Sequence, residues 1–136
     1  MRQLYFSALA IIVLSLPIGA HACSEAMDRA YQEENEGIEA YNSAYEIYDA
    51  GRDIFQTDKV RACGLIKKAA ARMRRARMGF RRASRAYSDA ASDCRFYQRY
   101  SDEKQVNKII REVNDDWDAA ETAADSMKQV HADHCQ

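Results

Sequence analysis

Large residues recur at every seventh position through the middle of the chain, at Ile66, Met73, Phe80, Tyr87 and Cys94. Three positions after each of them stands Ala69, Ala76, Ala83, Ala90 and Tyr97. A large and a small residue alternating at that period over four repeats form the seam of a coiled coil, because two positions per heptad stay on one side of a slightly underwound helix. No strand can use this pattern, since strand side chains alternate with a period of two.

Two further segments carry stripes of their own. In the first, Met27, Tyr41, Tyr48 and Phe55 share one line and Tyr31, Ile38 and Tyr45 another, with Ala30, Gly37, Ala44 and Gly51 running between them at intervals of seven. In the last, Val106, Val113, Ala120 and Met127 stand beside Ile110, Trp117 and Ala124. Ser24, Thr57 or Asp58, and Ser101 followed by Asp102 and Glu103 supply three capped starts, with acids where the helix dipole favours them. The pattern predicts helices near 24–55, 59–99 and 102–134. Their short connections force an up-down-up order. From residue 23 onward there is no proline and only four glycines, Gly37, Gly51, Gly64 and Gly79, too little turn chemistry for an all-β chain. The expected fold is therefore all-α: an elongated antiparallel three-helix bundle, coiled-coil-like, forming a single domain over residues 23–136.

Residues 1–22 read as a signal peptide. Met1-Arg2 is a short positive start, Leu4 to Leu16 is mostly apolar, and Pro17 and Gly19 precede Ala20-His21-Ala22, a small-residue cleavage pattern. The apolar stretch falls short of the roughly 20 residues that a membrane span needs, so the mature chain is expected to have no transmembrane segment. Export to the periplasm or exterior follows. Lipidation of Cys23 is the lesser alternative, because Ala20 and His21 do not match the usual acylation signal.

All four cysteines, Cys23, Cys63, Cys94 and Cys135, lie beyond the signal; an even count in an exported chain predicts two disulfides. With a turn near 57, Cys23 lies 34 residues before it and Cys94 37 after; with a second near 101, Cys63 lies 38 before and Cys135 34 after. At 1.5 Å per residue each of these pairs is level to within about 6 Å, whereas Cys63–Cys94 would span roughly 46 Å of one helix. Cys23–Cys94 and Cys63–Cys135 is the one connectivity that fits, with a disulfide at each end.

Charge is sorted by helix. Residues 23–58 hold ten acids and two bases, residues 59–87 eleven bases and no acid, and residues 88–136 eleven acids and six bases. The simplest reading is a positive helix neutralised by two negative neighbours, whose acids reach flanking positions such as Arg72 and Arg77. Lys67, Lys68, Arg74, Arg75, Arg81 and Arg82 follow the large core residues and are expected to face outward as a basic ridge roughly 20 Å long. Such a ridge suits a protein or an anionic envelope component. Nucleic acid is disfavoured, since no aromatic interleaves with the arginines to stack on bases.

Catalytic signatures are missing: there is no nucleophile elbow, phosphate-cradling glycine loop, CxxC pair or HExxH helix. Glu34, on an apolar line and level with Arg82 and Arg85, predicts a buried ion pair. His131 and His134 with Cys135 and Cys63 carry the donor types of a zinc site of two cysteines and two histidines, which is the alternative to two histidines beside a disulfide; zinc or copper could also use the two histidines alone. The expected function is non-enzymatic: surface recognition through the tyrosine/glycine face of the first helix or the basic ridge of the second, with self-association also open to heptad faces. The alternative is a metal-binding protein.

Overall fold

The structure is a computed structural model that describes residues 21–96 and 100–136. Nearly all of the expected signal segment, and Tyr97 at the end of the small-residue line, lie outside these residues. Three helices follow one another, α1 (His21–Asp53), α2 (Lys59–Phe96) and α3 (Tyr100–His134), and there is no strand among the described residues. Ser24, expected as a cap, lies inside α1.

The first turn closes as its sequence asks. Asp58 accepts the Arg61 N–H through Oδ1 at 3.0 Å, an N-cap bond that satisfies one of the orphan donors at the start of α2. Phe55 N–H donates to the Arg52 carbonyl at 3.2 Å, and Thr57 N–H and Asp58 N–H both donate to the Ile54 carbonyl, at 3.0 and 2.8 Å, which deals with the open end of α1. At the other tip Arg95 Nε donates to Glu103 at 2.8 Å, tying α2 to the first turn of α3.

α2 is the central element. α1 and α3 each pack along it, and they scarcely meet one another. Its large line, Ile66, Met73, Phe80, Tyr87 and Cys94, is buried throughout, as are Ala69, Ala76, Ala83 and Ala90. Ala70 and Ala91, four positions beyond Ile66 and Tyr87, and Ile109 on α3 join them in the core. Full burial of a side chain such as Phe80 or Ile66 stabilises by roughly 1.5–3 kcal/mol, so this thin core depends on few residues.

Both expected disulfides are present, Cys23–Cys94 with Cα atoms 5.0 Å apart and Cys63–Cys135 at 5.6 Å. Each closes a loop of about 70 residues, worth roughly 4 kcal/mol in the chain-entropy account. No described helix is long and apolar enough to cross a membrane.

The glycine line of α1 is spent on this packing. A Cβ built on Gly79 would stand 2.8 Å from Gly37 Cα, and one on Gly37 would stand 2.9 Å from Phe80 Cδ1. Gly51 is closed in likewise, 3.2 Å from the Ala62 carbonyl oxygen and Leu65 Cβ. The glycine half of the expected tyrosine/glycine docking face is thus an internal contact, where α1 and α2 approach backbone to backbone.

Candidate anion-binding face

Positions 67, 74 and 81 share one line on α2, and 68, 75 and 82 the next. All six side chains are exposed. Core residues fill the opposite side of α2, so the heptad that buries Met73 and Phe80 also carries these cations outward.

Neutralisation by the neighbours is narrower than the charge sorting suggests. Of the eleven bases between 59 and 87, two form ion pairs among the described residues. Arg77 pairs with Glu121 of α3 at 3.2 Å. Arg82 pairs with Glu33 at 2.5 Å and Glu36 at 3.1 Å, both on α1. The bond to Glu33 is the main reason its guanidinium is held above the ordinary range. Arg82 is therefore a tether between helices, whereas Lys67, Lys68, Arg74, Arg75 and Arg81 carry no ion pair among the described residues. Arg72, expected to meet an acid, donates instead to the Ser43 hydroxyl at 3.3 Å. The physical reason is register: α1 offers Ser43 at that level, and its acids lie one turn away or point to solvent.

A cleft of about 580 Å³ runs beside the ridge, with Glu36, Glu39 and Ala40 on one wall and Ala71, Arg72, Arg74, Arg75, Met78 and Arg82 on the other. Met78 is 47% exposed among these arginines, so the face is cationic at its edges with a thioether at its centre.

Glu34 is buried, 3% exposed, but its partner is not an arginine. Tyr87 donates its hydroxyl to Glu34 Oε2 at 2.5 Å. Arg82 is drawn to Glu33 and Glu36 on the outer side of α1, and Tyr87, on the central line of α2, reaches inward. Burial pushes the Glu34 carboxyl up, the Tyr87 bond opposes this, and Glu112 adds to the rise. The Tyr87 hydroxyl is raised in turn by burial and by Glu34. Across the gap on α3, Asp116 is pushed up to about 6 by burial and by Glu34, Asp115 and Glu112. Sequence periodicity missed this acid group, because its members come from two helices; the one signal for it was a glutamate on an apolar line.

A second groove, about 550 Å³, lies between α1 and α3. Tyr41, Tyr45 and Tyr48 form one wall, and Asp118, Ala119, Thr122, Ala123, Ser126 and Met127 the other. Tyr41 stacks at a tilt on Tyr45, with centroids 5.0 Å apart, and meets Phe80 edge-on at 6.4 Å. These are the tyrosines expected to form a docking face, and here they are open to solvent along one side, with Tyr45 39% exposed.

At the other tip, Cys63 and Cys135 are joined to each other and cannot serve as thiolate ligands. The His134 ring lies edge-on to Phe55, with centroids 6.3 Å apart. Among the described residues no three His, Cys, Asp or Glu side chains are grouped so as to hold a metal ion. His131 and His134 thus have no third donor there. The Cys23 sulfur, bonded to Cys94, is likewise not free to carry a thioether-linked lipid.

No family model, no curated protein and no solved structure matches this chain.

Proposed function

We propose that this chain is a non-catalytic binding protein of an oxidising compartment outside the cytoplasm, and that the outward face of α2 holds it on an anionic envelope surface. The observation that carries this reading is the set of exposed cations with no ion pair among the described residues: Lys67, Lys68, Arg74, Arg75 and Arg81. A protein that used α2 only to neutralise its neighbours would leave no such surplus. Two long-range disulfides are compatible with export and with a rigid presenting surface. Cations beside an anionic leaflet are worth about 1 kcal/mol each, and Met78 with Ala71 gives the face an apolar centre that can enter the headgroup layer.

Sedimentation with vesicles tests this. Vesicles rich in phosphatidylglycerol should bind the chain and zwitterionic ones should not. Reversing Arg74, Arg75 and Arg81 to Glu should weaken binding by at least about 100-fold, since losing three cations at about 1 kcal/mol each gives that much before the added repulsion. Equal binding to both vesicle types, or indifference to the triple reversal, overturns the reading.

A further inference from the structure

The two long faces of the molecule carry opposite charge. α2 shows its unpaired cations on one side. The groove between α1 and α3 opens elsewhere on the bundle; Asp118 lines it, and the stretch of α3 that carries Asp118, residues 112–125, holds six acids and no base: Glu112, Asp115, Asp116, Asp118, Glu121 and Asp125. Glu121 is taken by Arg77, and Glu112 pairs with Lys108 at 3.7 Å. Asp115, Asp116, Asp118 and Asp125 have no ion pair among the described residues, and Asp115 and Asp118 are exposed. At 1.5 Å per residue this acidic stretch is roughly 20 Å long, the same as the basic ridge.

The apolar features match as well. The ridge has one exposed large apolar side chain at its centre, Met78, ringed by Arg74, Arg75, Arg81 and Arg82. The groove is walled by Tyr41, Tyr45 and Tyr48 on α1, and its α3 wall includes the small residues Ala119 and Ala123. A thioether against aromatic rings is a favourable contact, arginine stacks on tyrosine faces, and small residues admit a neighbouring helix closely. α1 and α3 scarcely touch here, so a fourth helix laid in the groove would complete the bundle without displacing either.

We infer that the α1–α3 groove is a docking site for the α2 ridge of a second copy of this chain. The contact is heterologous, since ridge and groove are different surfaces, and each added copy presents a fresh ridge and a fresh groove. Such a contact builds rings or open chains of molecules and not two-fold dimers. Opposed charge steers the encounter and is screened by salt. The inference takes the α2 ridge as an anion-seeking surface, as in the proposed function, but its own site is the groove.

Sedimentation velocity of the full chain at about 10 mM and about 500 mM salt, where the Debye length falls from roughly 30 Å to below about 5 Å, provides the first test. Concentration-dependent growth is expected at low salt and its loss at high salt. Two variants then separate the surfaces: Arg74→Glu with Arg75→Glu and Arg81→Glu destroys the ridge, and Asp115→Asn with Asp118→Asn removes the acids of the groove without making it a partner for the reversed ridge. All five positions are exposed and without ion pairs among the described residues, and circular dichroism confirms that each variant is folded. Each alone should be monomeric. Because each retains the native surface that the other has lost, mixing them should give one-to-one pairs that grow no further. Wild-type chain that stays monomeric at low salt, association that either variant retains in full, or a mixture no larger than its components overturns the inference. The vesicle assay keeps the two proposals apart. The groove variant should bind anionic vesicles at least as tightly as wild type, so binding without self-association sinks the groove alone, and self-association without vesicle binding sinks only the envelope reading.

Discussion

The α1–α2 seam and the α1–α3 groove are built from the same helix, and they end in opposite states. Along the seam α1 presents Ala30, Gly37, Ala44 and Gly51, all buried, and the backbones come close enough for Gly37 and Gly79 to touch. Around the corner α1 presents Tyr41, Tyr45 and Tyr48, and α3 faces them across an open groove. The difference teaches that side-chain size sets which pair of three helices closes. Small residues let α1 settle onto α2, and rings on the adjacent face, with the acids around Asp116, hold α3 off.

The comparison breaks most easily at the seam. Gly79→Ala places a methyl 2.8 Å from a backbone atom of α1, which a side-chain rotation cannot relieve. It should cost about 2–3 kcal/mol as overpacking, against an intrinsic helix gain of about 1 kcal/mol for alanine. Gly64→Ala is the reverse case, since nothing lies within 4 Å of the added carbon, and it should stabilise by about 0.5–1 kcal/mol. Urea denaturation midpoints check both; equal shifts of the same sign would refute the close approach.

Next in size is the bond behind the groove. Tyr87→Phe leaves Glu34 buried without its donor and should lower stability by about 1–3 kcal/mol. Adding Glu34→Gln to that variant should recover much of the loss, because a neutral amide is cheaper to bury than a carboxylate. A double-mutant cycle showing no coupling between the two positions would exclude the contact.

The smallest effect is a pH dependence. Asp116 has a folded-state value of about 6 against an ordinary 3.8, so the folded chain binds the proton more tightly than the unfolded chain. Its contribution is complete below 3.8 and is lost as pH rises through about 6. Asp116→Asn should therefore gain stability at pH 7.5 and gain none at pH 3.5. Solvent screening of this half-buried group keeps the gain to roughly 1 kcal/mol. Melting curves at the two pH values measure it, and an equal change at both would show that the acid group exerts no mutual repulsion.

How much of this was legible beforehand follows from what a single helix can display. The seven-residue lines of α2, the Asp58 cap and both cysteine pairs depend on counting along one element, and they stand as the residues foretell. The outward placement of Lys67, Arg74 and Arg81 comes from the same counting. Relations between helices lie beyond such counting. Which acid meets Arg82, why Arg72 meets Ser43, and why Glu34 accepts from Tyr87 depend on axial stagger and crossing, and stripes do not encode those. The burial of Ala70, Ala91 and Ile109 belongs to the same class: each lies beside a heptad line and is enclosed by where the partner helix sits. The openness between α1 and α3 could not be read from either helix alone.

The two disulfides also decide how the molecule would bear a pull. Tension applied at Cys23 and Cys135 passes straight across to Cys94 and Cys63, so only the stretch of α2 between them is in the load path. α1 and α3 hang beside it as slack. Fully drawn out, that span of 31 residues reaches about 105 Å, less than a third of the contour of the chain as a whole. A unit stapled in this way can lengthen only about twofold, from roughly 46 Å of helix to the drawn-out span, with the stretch of α2 that carries the cations as its tendon.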